Sequence, residues 1–261
     1  VADADALSVR SDRVTAEVLD AAKQLKIVVR AGAGFDNIDL EAATKHGVVV
    51  MNTPGQNSNA VAELAFEMML YQARGGFAGK SGFELRGKTL GLHAFGYVGK
   101  CMAAIAKGFG MQLFAYDPFL SAEDIAKEGV TPVASAEELY EKCQYVSLHM
   151  PANAKTKLSI NHALLSRMPK GATLVNTARA EVIHEEDLLR VYEERPDFVY
   201  LSDVAPVCKA DIEAKYPGRF LFTAKKMGAQ TEEANTNAGI AAAEQIRDFI
   251  MKGEKRFQVN K

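Results

Sequence analysis

The feature that most limits how this chain can fold is an alternation. Short apolar runs rich in β-branched residues recur along it: "KIVVRA" (26–31), "VVVMN" (48–52), "TLGLHAF" (89–95), "QLFAYD" (112–117), "YVSLHM" (145–150), "ATLVNTA" (172–178), "FVYLSDV" (198–204) and "RFLFTA" (219–224). Runs apolar on both faces are what parallel strands covered on both sides require. Between them, 58–74, 99–110, 135–143, 161–168 and 185–195 read as helices, and 234–252 is the last large element. The Asn at 161 and the acids at 185–187 suit helix N-termini. Strand–helix–strand repetition in one sheet demands right-handed crossovers, so the chain reads as α/β with doubly wound parallel sheets. A strand-like run, "ADALSVRSDRV" (4–14), comes almost at once, so part of a first domain is expected to lie upstream.

Composition removes several function classes. The 261 residues suffice for two ordinary domains. With 31 basic against 33 acidic residues the net charge is -2, which gives no electrostatic reason to bind nucleic acid or an anionic membrane. No apolar run approaches the ~20 residues of a membrane span. Cys101, Cys143 and Cys208 are odd in number and lack metal-ligand spacing, which points to reduced thiols in a cytoplasmic protein. The five histidines form no HExxH-type pair, so no metal site is expected.

One turn carries chemistry. In "TLGLHAFGYVGKCMAAIA" a strand leads into a helix through Ala94-x-Gly96-x-x-Gly99. A dinucleotide fingerprint needs a strand before, a helix after, and an acid roughly 20 residues on. Asp117 fills the last place, 18 residues past Gly99. Gly96 would let the backbone approach a pyrophosphate seated on the helix N-terminus, and Gly99 would let helix and strand pack closely. Asp117 would accept from the adenosine ribose hydroxyls, and its charge would repel a 2′-phosphate, favouring NAD over NADP. Alanine at 94 is acceptable if that position takes a negative φ. Any α/β fold can contain an ordinary tight turn of this form.

Several stretches together are more specific. "VRAGAGFDNIDLEAATKHGVVVMNTPGQN", "GKTLGLHAFGYVGK", "AYDP", "LVNTAR", "IHEEDLL" and "GAQTEEA" occur in the order found in the D-isomer-specific 2-hydroxyacid dehydrogenases, which the chain resembles over nearly its whole length. Within that family it is most similar to the branch that oxidises D-3-phosphoglycerate. The resemblance implies two Rossmann-like domains, with an NAD domain (53–233) inserted in a discontinuous substrate domain (1–52 and 234–261) and the active site in the cleft between them. It implies hydride transfer between NAD and C2 of a small 2-hydroxy acid, and a homodimer formed through the helix at 58–74. No regulatory serine-binding domain is expected after residue 261, and hence no serine inhibition.

Site residues carry over one by one from the resemblance. Arg179 in "NTAR" matches the arginine that holds the substrate carboxylate, and its planar fork suits that task. The Gly32–Ala33–Gly34 backbone matches a carboxylate-binding turn, and Arg10 and Arg30 match arginines facing the substrate's anionic end. For the cofactor the matching positions are Gly96, Tyr97, Val98 and Gly99, then Asp117 and Pro118. His149, Met150 and Pro151 pass the adenine. Thr177, Ala178, Asp203 and Gly228 lie by the nicotinamide.

The chain departs from the family at the acid/base. The usual histidine in a Pro-His-x-Gly run, oriented by a glutamate, is replaced. In "TAKKMGAQTEEA" Lys226 falls on the histidine, and in "LSDVAPVCK" Cys208 falls on the glutamate. A lysine needs no carboxylate to fix a tautomer. Lys226 is expected to face the site, with Lys225 pointing to solvent. Partial burial and the Arg179 charge would favour its neutral amine. Two further readings stay open: a glyoxylate or hydroxypyruvate reductase of the same family, and a non-catalytic NAD-sensing scaffold.

Overall fold

A computed structural model describes residues 1–260. Contacts divide the chain into two units: one comprises Val1–Ala60 with the stretch from Ala229 onward, the other Val61–Gly228.

The smaller unit begins β1 (Ala6–Val9), α1 (Ala16–Ala21), β2 (Ile27–Arg30), α2 (Leu40–Lys45), β3 (Val49–Asn52), a parallel sheet in the order β1-β2-β3. Alternation along the strands splits its apolar side chains between two layers. Val28 and Val50 pack with Leu19 and Ala43 of α1 and α2. Ile27, Val29, Val49 and Met51 pack on the opposite face.

The larger unit contains α3 (Ser58–Ala73) from Val61 onward, β4 (Thr89–His93), α4 (Tyr97–Gly108), β5 (Gln112–Tyr116), α5 (Ala122–Lys127), β6 (Thr131–Pro132), α6 (Ala136–Lys142) and β7 (Tyr145–Leu148). It continues with α7 (His162–Leu165), β8 (Thr173–Asn176), α8 (Glu185–Glu194), β9 (Val199–Ser202), α9 (Lys209–Lys215) and β10 (Phe220–Phe222). Its seven strands are all parallel, in the order β10-β9-β8-β7-β4-β5-β6. The chain winds one way from β4 to β6 and the other way from β7 to β10. The gap between β4 and β7 is therefore a topological switch point, where open α/β sheets bind ligands.

Helices α3 and α4 cover one face through Ala62, Phe66, Met69, Met102 and Ala106. Helices α6 to α9 cover the other through Leu139, Leu165, Val191 and Ile212. The apolar girth of α3 has its explanation here: Ala65, Phe66, Met68 and Met69 are all buried within the unit. Side-chain caps start several helices, as with Ser121 accepting from Asp124 N, Ser135 from Glu138 N and Asn161 from Leu164 N. The last helix, α10 (Glu232–Lys252), returns to the smaller unit, where Ala238 and Ala242 close the layer against β2 and β3. Among the described residues no helix is long and apolar enough to cross a membrane.

Candidate functional site

The turn after β4 is built by side chains around it. Asp117, at the end of β5, accepts from Phe95 N at 2.8 Å through one carboxylate oxygen and from Phe119 N at 2.9 Å through the other. It thus braces the turn it follows by some twenty residues, and each oxygen keeps a lone pair for a ligand. A Cβ at Gly99 would lie 2.8 Å from the Ala94 carbonyl oxygen, so only glycine lets α4 approach β4 this closely. A Cβ at Gly96 would meet nothing within 4 Å. Packing inside the chain does not require glycine there, which is what a position reserved for close approach of a ligand looks like. Gly96 caps α4 without a side chain, so the first N–H groups of a 12-residue helix have no side-chain acceptor from the cap. Tyr97 is exposed beside them, Val98 packs against the core below, and Pro118 is exposed next to Asp117.

The expectation for Ala94 is overturned. Its φ is +72°, in the left-handed region rather than at a negative angle. The turn wants glycine, and alanine is held there by its neighbours, with Ala94 N donating to Tyr116 O at 2.9 Å.

Across the switch point, His149 N donates to His93 O at 2.9 Å, which ties the end of β7 to β4. Both ring nitrogens of His149 are buried and unpartnered among the described residues, and burial pushes its pKa down to about 3. A neutral ring fits a packing and backbone role. Met150 is buried and Pro151 exposed.

The second half of the site follows β8. The Asn176 side chain folds the chain back: its Oδ1 accepts from Ala178 N at 3.0 Å, while its Nδ2 donates to Arg179 O at 2.9 Å and to the Tyr200 hydroxyl at 3.2 Å. From β9, Ser202 Oγ donates to Asn176 O at 2.9 Å. These bonds present two cations to one acceptor. Arg179 Nη1 donates to Ala178 O at 2.9 Å, and Lys226 Nζ donates to the same oxygen at 3.2 Å.

Asp203, just past β9, accepts from Gly228 N at 2.8 Å and Met227 N at 3.3 Å, which fixes the loop that carries Lys226. Its other oxygen, Oδ1, is buried without a partner, as is Thr177 Oγ1. Two orphaned buried polar atoms beside this loop suit a polar group such as a carboxamide. Burial raises the Asp203 carboxyl pKa, against the opposing pull of the Gly228 N–H and then the Lys226 charge.

Arg179, Asp203, Lys225 and Lys226 line one cavity of about 450 Å³. One expectation changes here: Lys226 is exposed rather than partly buried. Lys225 is exposed to solvent and is also among the residues that line this cavity. Cys208 is not a lining residue and does not stand in for a carboxylate. It caps α9, its N–H donates to Glu185 Oε2 at 2.8 Å, and burial, then the Glu185 charge, pushes its thiol up to about 12.

In the smaller unit Arg10, Arg30 and Gly32 come together. Arg30 Nε donates to Arg10 O at 3.1 Å, and Arg10 Nη2 donates to Ala229 O at 3.2 Å. A Cβ at Gly32 would fall 1.7 Å from Arg30 Nη1, so the guanidinium lies directly over the glycine. Asn52 Nδ2 donates to the carbonyl of exposed Ala33 at 2.6 Å, and Gly34 is half-buried. Among the described residues no group of three His, Cys, Asp or Glu side chains is placed to hold a metal.

Two side chains in this geometry were not singled out in the sequence: Asn176 and Ser202. Both left a signal, since a short polar residue ending a buried strand forms Asx and Ser turns.

Residues 59–215 match the family model described as D-isomer specific 2-hydroxyacid dehydrogenase, NAD binding domain. The D-3-phosphoglycerate dehydrogenase of Methanocaldococcus jannaschii is 36% identical over 97% of this chain and 51% of its own length. The chain thus spans about half the length of that relative. The hydroxypyruvate reductase of Thermotoga maritima is 36% identical over 94% of the chain and 85% of its own length. Among solved structures, the NAD+-bound 3-phosphoglycerate dehydrogenase of Entamoeba histolytica superposes with a TM-score of 0.90 at 49% identity, covering 100% of this chain and 83% of that one.

Proposed function

The chain belongs to the D-isomer-specific 2-hydroxyacid dehydrogenases and carries their NAD-binding domain, and from that premise we propose that it oxidises D-3-phosphoglycerate to 3-phosphohydroxypyruvate, the entry to serine synthesis. The observation that carries this reading is the convergence of the Arg179 guanidinium and the Lys226 ammonium on one carbonyl oxygen, in a cavity that Asp203 also lines. Similarity to several phosphoglycerate dehydrogenases supports the substrate.

The cofactor is NAD. The turn at Gly96 to Gly99, Asp117, the end of β7 at His149 to Pro151, Thr177, Ala178, Asp203 and Gly228 would hold it. Bound NAD supplies the hydride acceptor. Arg179 holds the substrate carboxylate and places C2, its fixed charge stabilising negative charge that develops on the C2 oxygen. Lys226 Nζ, as the free amine, takes the proton of the C2 hydroxyl as the hydride leaves; as the ammonium it returns that proton in the reductive direction. Arg10, Arg30 and the Gly32–Gly34 backbone are proposed to receive the substrate's anionic groups. We infer a cytoplasmic homodimer, which light scattering checks by mass.

The test is NAD-dependent oxidation of 3-phosphoglycerate by the protein and by Lys226→Ala over a pH range. The expected loss is at least about 100-fold in kcat with KM little changed, together with disappearance of the rise of kcat with pH. A Lys226→Ala enzyme that keeps both would remove lysine from proton transfer. The similarity to a hydroxypyruvate reductase favours a second reading, reduction of an unphosphorylated 2-oxo acid. Relative kcat/KM for phosphohydroxypyruvate and hydroxypyruvate separates the two.

A further inference from the structure

The cavity beside Arg179 has two more cations than carboxylates in its lining. Arg179, Lys209, Lys225 and Lys226 face Glu181 and Asp203. Three of the four cations are engaged. Arg179 and Lys226 donate to Ala178 O, and Lys209 pairs with Glu213 at 3.5 Å. Asp203 is committed to the backbone of Met227 and Gly228. Among the described residues Lys225, which is exposed, is the basic lining residue whose side chain makes no hydrogen bond or ion pair. Glu181 is the other unpaired lining charge, and it is exposed.

Lys225 is nevertheless not on a loose strand of chain. Its backbone carbonyl accepts from Thr223 Oγ1 at 2.8 Å, one residue beyond the end of β10. Two residues on, Asp203 clamps the same loop. A lysine held at its backbone, left without a counter-ion, and sharing a cavity with a carboxylate-binding guanidinium is suited to a second negative charge on the same small molecule.

We propose that Lys225 is a specificity-determining residue that binds the second anionic group of the substrate, the phosphate ester of a phosphorylated 2-hydroxy acid. This rests on the assignment of Arg179 to the carboxylate. It adds that the larger unit alone supplies one ligand for each end of the acid. Lys225 makes no contact with the reacting carbon. Its effect belongs in KM for the phosphorylated acid and in the choice between acids, not in the hydride step.

The experiment compares wild type, Lys225→Ala and Lys225→Arg with 3-phosphoglycerate and with D-glycerate. Calorimetric titration of 3-phosphoglycerate into the NADH-loaded protein gives a readout independent of turnover. A charge-assisted hydrogen bond of ordinary strength corresponds to a change of about tenfold. The expected result is a fall of about tenfold in the kcat/KM preference for the phosphorylated acid in Lys225→Ala, carried by KM. A matching weakening in calorimetry and recovery in Lys225→Arg complete it. An equal change for both acids, a change confined to KM for NAD, or no change overturns the proposal and leaves the dehydrogenase reading standing. Absence of wild-type turnover with either acid overturns both.

Discussion

Ala94 shows how a single position can carry strain for the sake of a turn. An L-residue in the left-handed region costs roughly 1–2 kcal/mol, which glycine avoids, while glycine loses more chain entropy on folding, about 0.5–1 kcal/mol. The balance favours glycine. Ala94→Gly is expected to stabilise the protein by about 0.5–1 kcal/mol, read as a higher urea midpoint at unchanged slope; an unmoved or lower midpoint would mean the turn is unstrained. His149 makes a second prediction with a definite sign. Its folded pKa of about 3 lies below the ordinary value of 6.5. Below pH 6.5 the unfolded chain therefore binds more protons, and stability falls as pH drops toward 3. By pH 5 the loss from this ring alone is about 2 kcal/mol. His93, lowered to about 4 by burial, adds to it. In His149→Asn the loss between pH 7 and 5 should shrink by about half; an identical pH profile would show that His149 is already solvated.

At the scale of elements, the loop after β8 deserves a direct test because one side chain organises it. Asn176→Ala removes the acceptor for buried Ala178 N and a donor to Arg179 O, at a cost of about 1–3 kcal/mol. The expected signature is that loss in denaturation plus a raised KM for the 2-hydroxy acid, since Arg179 loses its seat. Asn176→Asp keeps the acceptor and should recover part of both. If Ala leaves KM untouched, the loop is held by other contacts. Most strands and the longer helices were legible because β-branched runs and apolar periodicity fill them. Helices α1, α2, α5 and α9 span six or seven residues each, too few turns for periodicity to stand out. The segment read as a helix over 161–168 contracts to His162–Leu165, because Arg167 N and Met168 N turn to i−3 carbonyls ahead of Pro169. Within the site, residue identity carried the close helix–strand packing at Gly99, whose constraint is local. It did not carry the sign of φ at Ala94, which depends on how the surrounding turn closes.

For the molecule as a whole, the two units have separate cores, each with its own pair of layers. Every residue assigned to NAD lies in the unit Val61–Gly228. A ligand that binds only one folded body raises the stability of that body by mass action, about 2.7 kcal/mol at 100 times its Kd. NAD should therefore shift the unfolding of the larger unit and slow hydrogen exchange in β4, β5 and β7, while β1 to β3 exchange at rates the cofactor does not set. NADP at the same concentration should do much less, because its 2′-phosphate would meet the Asp117 carboxylate; Asp117→Ala should narrow that gap. Multi-domain chains commonly unfold in more than one step, so the two effects are separable in a single denaturation series followed by exchange. Equal protection of β1 to β3 and of β4 to β7 would show that the two cores unfold as one cooperative body, and the energetic independence inferred from their packing would be lost.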